Sequence, residues 1–201
     1  YLLYFPRGYD PSRKKGYPLL LFLHGSEERG NNLGLVKGSG PIREIEQGRD
    51  LPFIVLAPQC PARNCWDVDA LATLLNHVQA QHNVNPDRVY LTGLSMGGRG
   101  VWMLANAFPE RFAAIAPVCP PVLRNRVAAR FKDMPVWVFH GAMDSAVPIQ
   151  DSVTMVKAIR NAGGNVKFTI YPDADHDAWT PTYSNPELYH WFMEHQLRRK
   201  Q

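Results

Sequence analysis

The chain of 201 residues has no run of eighteen or more apolar residues, so no segment reads as a membrane-spanning helix. It has no initiator Met. It opens on the strand-like Tyr1-Leu2-Leu3-Tyr4-Phe5-Pro6 with no charged-then-apolar leader, and the expectation is a domain excised or processed from a longer chain. The formal net charge is only +4, and the clusters Arg13-Lys14-Lys15 and Arg198-Arg199-Lys200 read as a solvated turn and a chain end. A basic stripe with interleaved aromatics is missing, which argues against a nucleic-acid partner. Cysteine is scarce: there are three, none in a Cys/His spacing that would hold zinc. Cys60 and Cys65 bracket a short Pro-containing loop. They either close a small disulfide, as would suit a secreted protein, or are two unrelated thiols. Cys119 follows an apolar run and reads as a packed core thiol. No metal or cofactor is expected, and with no internal repeat, low-complexity tract or linker, residues 1–201 read as one domain.

What is present is a strong alternation. The chain is 45% hydrophobic, enough for a substantial core. Pro18–Leu23 is apolar on both faces, as a strand buried between helices should be. Further strands are expected at 53–57, 88–92, 112–116, 136–139 and 166–171. Between them, Leu71, Leu74, Leu75 and Val78, and then Val153, Val156 and Ile159, recur at helical spacing. A shorter helix is expected from Pro41 to Gln47. A last helix begins at Asn185-Pro186 and turns Leu188, Trp191 and Phe192 inward. Strands alternating with helices imply a mostly parallel sheet covered on both faces.

The strongest chemical signal is Gly93-Leu94-Ser95-Met96-Gly97-Gly98, set between a strand and a helical stretch. In a G-x-S-x-G elbow the glycines let strand and helix crowd around a strained serine, leaving its hydroxyl at the top of the sheet. A serine needs a base and an orienting acid, which follow it along the chain as Asp or Glu and then His. His176, in the loop after the 166–171 strand, fits the base. His77 and His82 precede the elbow, His190 and His195 belong to the last helix, and His24 and His140 sit at strand ends in packing positions. For the acid, Asp144 lies just past the 136–139 strand, where active-site residues of parallel sheets collect, and Asp175 is the alternative beside His176. Oxyanion donors are expected from the Met96 amide and from the loop after the first buried strand, with Ser26 as the candidate amide.

These motifs carry a resemblance. His24-Gly25-x-x-Glu28-Arg29-Gly30, Pro58-Gln59-Cys60-Pro61, the Ser95 elbow and Asp173-x-Asp175-His176-Asp177-x-Trp179 resemble the phospholipase/carboxylesterase-like, "predicted peptidase" branch of the α/β-hydrolases. That branch is similar to feruloyl esterases, acetyl xylan esterases and polyhydroxybutyrate depolymerases. The resemblance runs from Tyr4 to about Trp191, with one departure: Glu27 stands where small residues are commoner. It implies the α/β-hydrolase fold, a nucleophile at Ser95, an acid at Asp144, a base at His176, and oxyanion donors at Ser26 and Met96.

Such hydrolases often carry a cap, but the interval from Cys119 to Asp133, with Arg124, Arg126 and Arg130, is too short for a large one. An open site favours short acyl or aryl esters, small or polymer-borne, over long lipid chains. Trp66 and Trp179 lie in loops beside the expected strand ends, either as rim platforms for a sugar or phenolic ring or as anchors. The leading expectation is a serine carboxylesterase, secreted rather than cytoplasmic. A serine peptidase or polyester depolymerase on the same residues is the alternative, and a non-catalytic binding module would need none of the three.

Overall fold

Alternation of apolar side chains along buried strands decides how the sheet is covered. The computed structural model describes residues 1–123 and 128–197. Its strands are β1 (Leu2–Tyr4), β2 (Tyr17–Leu23), β3 (Ile54–Ala57), β4 (Val84–Leu94), β5 (Ala114–Val118), β6 (Val136–Gly141) and β7 (Val166–Tyr171). They form one sheet in the order β1-β3-β2-β4-β5-β6-β7, with β1 antiparallel to β3 and the other pairs parallel. Leu19, Leu21 and Leu23 of β2 face one layer, where helices α2 (Val68–Gln81), α3 (Met96–Ala107) and α4 (Ile149–Asn161) pack. Leu20 and Phe22 face the other, built with α1 (Gly40–Glu46), α5 (Trp179–Ser184) and α6 (Pro186–Glu194). Full burial of each such side chain is worth about 1.5–3 kcal/mol, so both layers hold the sheet firmly.

Local signals set most of the boundaries. The Asp67 carboxylate accepts the Ala70 amide hydrogen at 2.9 Å and starts α2, and Asn185 accepts from Glu187 at 2.9 Å and starts α6. α4 stops before Gly163, whose φ of +87° suits glycine. Within α6, Leu188 and Phe192 are fully buried and Trp191 is half-buried.

Several elements differ from expectation; β4, for one, begins at Val84, four residues before the expected start. β5 lies two residues further along than the pattern predicts and runs through Pro117. A proline lacks only its own donor. The strand still accepts the Ser95 amide on the Val118 carbonyl and donates from Cys119 to Phe139. The short helix α5 carries a weak helical pattern of its own. It forms because Asp177 accepts both the amide and the hydroxyl of Thr180 at 2.9 Å, and because Tyr183 and Thr182 are buried.

Arg124, Arg126 and the cluster at 198–200 lie outside the described residues. No helix among the described residues is long and apolar enough to cross a membrane. The carboxyl ends of β2, β4, β6 and β7 share one edge of the sheet, and the loops that leave them build the candidate site.

Candidate active site

Ser95 occupies the bend between β4 and α3 with φ 52° and ψ −117°, a strained conformation for a non-glycine residue. The crowding behind it is severe. A Cβ on Gly97 would lie 1.9 Å from the Leu23 carbonyl oxygen, and one on Gly93 would lie 2.7 Å from the same atom. Backbone cannot yield as a flexible side chain can, so both positions demand glycine if the elbow is to sit against β2.

His176 comes from the loop after β7. Its Nε2 lies 2.9 Å from Ser95 Oγ, and its Nδ1 lies 2.7 Å from Asp144 Oδ2. A carboxylate can only accept, so Nδ1 carries the hydrogen, and Nε2 is left free to accept from the serine hydroxyl. The Asp144 side chain is wholly buried while that of His176 is 24% exposed, so the ring is open to solvent and its partner is not. Asp144 Oδ1 accepts the amide hydrogens of Ala146 and Val147 at 3.0 and 2.8 Å.

The acid and base loops are clasped together by backbone. Met143 donates to the Ala174 carbonyl at 3.0 Å and Ala142 to that of Tyr171 at 2.9 Å. Gly141 makes this possible, since a Cβ there would lie 2.2 Å from the Asp175 carbonyl oxygen. Asp175, the alternative acid, points elsewhere: its carboxylate accepts the Ser145 amide and hydroxyl at 2.8 and 2.9 Å. Those bonds, the amide's first, pull its pKa below the ordinary value.

The loop after β2 supplies backbone rather than side chains. Arg29 Nε donates to the Ser26 carbonyl at 2.8 Å, and Gln59 Nε2 donates to the carbonyls of Glu28 and Asn32 at 2.8 Å each. The Ser39 hydroxyl donates to Glu28 at 2.6 Å. Buried His24 ties this loop to the one after β3: its Nε2 accepts from the Cys60 amide at 2.9 Å and its Nδ1 donates to the Gly25 carbonyl at 2.6 Å. Burial lowers the His24 pKa, which suits the neutral ring these partners require. Among the described residues, neither the Ser26 nor the Met96 amide hydrogen is taken up by another protein group. Glu27, the residue that departs from the commoner pattern, is exposed.

The two tryptophans part company. Trp66 is 6% exposed, donates from Nε1 to the His24 carbonyl at 3.2 Å and packs on the His24 ring at 4.7 Å. Expectation of a rim platform is corrected there: burial against His24 leaves no face for a substrate, and Trp66 is an anchor. Trp179 is half-buried and meets the His176 ring edge-on at 5.3 Å, so it borders the site. Cys60 is a buried free thiol, Cys65 an exposed one, and Cys119 lies buried beneath the site, where burial raises its pKa. The ligand atoms of Cys119, Asp144 and His176 lie within 4.8 Å of one another, the one trio among the described residues that could hold a metal ion. Two of the three already share a hydrogen bond. Sequence reasoning set His140 aside as packing, yet its Nε2 reaches Asp144 Oδ2 at 3.1 Å. Its place four residues before the acid was the available signal.

The sequence pattern of the dienelactone hydrolase family matches residues 62–188, which include Ser95, Asp144 and His176. The chain belongs to the dienelactone hydrolase family. The family is one of hydrolases, and its fold here is the α/β-hydrolase fold. The chain is 25% identical over 183 residues to the bifunctional acetylxylan esterase/xylanase of Neocallimastix patriciarum, covering 87% of this chain and 26% of that protein. It is 28% identical over 178 residues to the poly(3-hydroxyoctanoate) depolymerase of Pseudomonas fluorescens, covering 71% and 61%. The crystal structure of a thermostable esterase superposes with a TM-score of 0.86 at 33% identity, over 96% of this chain and 58% of that one. This member of the dienelactone hydrolase family thus spans less than two thirds of each of these three relatives.

Proposed function

We propose that this chain is a serine carboxylesterase acting on short acyl or aryl esters, small or polymer-borne, through an acyl-enzyme. The observation that carries the reading is the His176 ring, in hydrogen-bond reach of Ser95 Oγ on one side and Asp144 Oδ2 on the other. Ser95 Oγ attacks the ester carbonyl carbon as its proton passes to His176 Nε2. Asp144 orients the ring and stabilises the imidazolium without taking the proton. The amides of Ser26 and Met96 receive the negative oxygen, each such donor being worth about 2.7–4 kcal/mol. Collapse breaks the bond to the alcohol, which leaves with the proton from Nε2. Water then attacks the acyl-enzyme, gives its proton to Nε2, and the acid departs as Ser95 regains its hydrogen.

Residues 1–201 serve in this reading as one catalytic domain. Only the short stretch 119–135 joins β5 to β6, too little chain for a large cap at that point, which suits esters that project from a bulky carrier. Similarity to an acetylxylan esterase supports a polysaccharide carrier, and similarity to a polyester depolymerase supports a second reading with a polyester chain in its place. Either polymer fits a secreted enzyme better than a cytoplasmic one. Turnover of p-nitrophenyl esters of increasing chain length, methyl ferulate, acetylated xylan and a polyhydroxyalkanoate film tests this. Activity should peak at short chains and fall at least about a thousandfold in Ser95→Ala with an unchanged far-UV spectrum. Equal activity in the mutant would overturn the assignment, and release from the film alone would select the depolymerase.

A further inference from the structure

The acid of the site has a second imidazole behind it. His140, the penultimate residue of β6 before the acid loop, is fully buried. Its Nε2 faces two acceptors, the Val147 carbonyl at 2.9 Å and Asp144 Oδ2 at 3.1 Å. Two acceptors beside one ring nitrogen require the hydrogen to sit there: it is donated to the Val147 carbonyl, and its positive end lies close to Asp144 Oδ2. The other nitrogen, Nδ1, lies 2.7 Å from the buried Ser152 hydroxyl of α4, which then donates to it. Burial lowers the His140 pKa, in keeping with a neutral ring held in this tautomer.

The carboxylate of Asp144 is thereby surrounded. Oδ1 receives Ala146 and Val147, and Oδ2 receives His176 from one side and has His140 Nε2 3.1 Å away on the other. Among the described residues, without His140 the only N–H beside Oδ2 would be that of the ring it is meant to orient. Donated to Val147, the same hydrogen also holds the returning end of the acid loop.

We propose that His140 is a positioning residue for the acyl-transfer chemistry: it fixes the Asp144 carboxylate in the plane His176 needs and shares its negative charge as the imidazolium forms. This rests on the reading of Ser95, His176 and Asp144 given above. The groups facing the pair are few among the described residues. The loop after β7 presents His176, the end of β5 presents the Cys119 thiol, and α4 presents the Ser152 hydroxyl. Asp151 of α4 turns away to accept the Val122 amide at 2.9 Å, and Asp175 is held by Ser145.

Removing the second donor leaves the carboxylate a stronger partner for the imidazolium. The acid limb of activity should then move up. His140→Leu should lower kcat on p-nitrophenyl acetate about ten- to a hundredfold with KM little changed. Its acid limb should rise by about half a pH unit or more. His140→Gln, whose amide N–H can reach the position of Nε2, should recover most of both. His140→Asn, whose shorter amide reaches Ser152 and not Asp144, should behave like the leucine variant. Ser95→Ala and fluorophosphonate labelling of the wild type keep the two ideas apart. Activity independent of Ser95 sinks the esterase reading itself. Ser95-dependent activity with an unmoved kcat and acid limb in His140→Leu sinks only the role of His140. If the leucine variant does not fold, identical profiles for the glutamine and asparagine variants sink it instead.

Discussion

Two buried histidines stand at the ends of two strands of one sheet, and they do different work. His24 closes β2 and His140 lies near the end of β6; both are fully buried, and burial lowers the pKa of each. Their tautomers are opposite. His24 donates from Nδ1 to the Gly25 carbonyl and accepts on Nε2 from the Cys60 amide, so both of its hydrogen-bond partners are backbone. The Glu28 carboxylate stands 3.9 Å from it, beyond hydrogen-bond reach. His140 accepts on Nδ1 from Ser152 and turns its Nε2–H to Val147 and to the buried Asp144. The same residue in the same topological place ties backbone to backbone at β2 and stands against a buried carboxylate at β6.

The steepest way to break this contrast is to remove the carboxylate. Asp144→Asn should lower kcat on p-nitrophenyl acetate by about 10⁴-fold, because the amide no longer selects the His176 tautomer. Asp175→Asn should stay within about tenfold of wild type, since that side chain serves only to clasp Ser145. A reversal of the two would move the acid to Asp175. Next in size is Gly141→Ala, whose methyl would meet the Asp175 carbonyl at 2.2 Å and force the acid and base loops apart. A displacement near 1 Å should cost about a hundredfold in kcat. Urea unfolding should show a loss of about 1–3 kcal/mol for the same overpacking.

His24→Leu sharpens the comparison from the other side. It leaves the Cys60 amide without its acceptor, for a stability loss of about 1–3 kcal/mol. Turnover should fall less than about tenfold and the acid limb should not move. An acid-limb shift as large as that of His140→Leu would erase the distinction. The smallest effect is on stability against pH. Both rings have folded pKa values below the ordinary value of about 6.5. Below that pH the unfolded chain binds protons that the folded chain refuses, so their stabilisation is complete above it and is lost as pH falls toward the folded values. Tm should therefore drop modestly between about pH 7 and 5, and His24→Leu should reduce that slope; a wild-type Tm that rises on acidification would contradict neutral burial.

The elbow was legible because its glycines fall at a fixed spacing around the serine. Gly93 is crowded by the Gly97 backbone and the end of β2, and Gly97 by the end of β2, and that demand is written as spacing. The strands and the two amphipathic helices were legible for the same reason, as periods of two and of three to four. Trp66 was misplaced because a loop tryptophan is exposed or buried according to what folds over it, here the His24 end of β2. The motif Glu28-Arg29 with Gln59 was visible as a resemblance, but its physical sense, a set of bonds stiffening the loop that carries Ser26, needed the loops in place. Helix α5 escaped notice because six residues with a proline have too little propensity to announce a helix without the Asp177 cap.

By itself, the order of amino acids determined a mostly parallel sheet with helices on both faces, a glycine-flanked serine at the end of β4, and carboxylates and a histidine that follow it along the chain. Those features are written as periodicity and spacing along the sequence. Only the tertiary structure set the Asp144 carboxylate against His176 and turned Asp175 to Ser145, buried Trp66 and left Trp179 beside His176. It also brought His140 up behind the acid. Each of these depends on loops far apart in the chain meeting at one edge of the sheet, and no local pattern encodes which way their side chains turn when they meet.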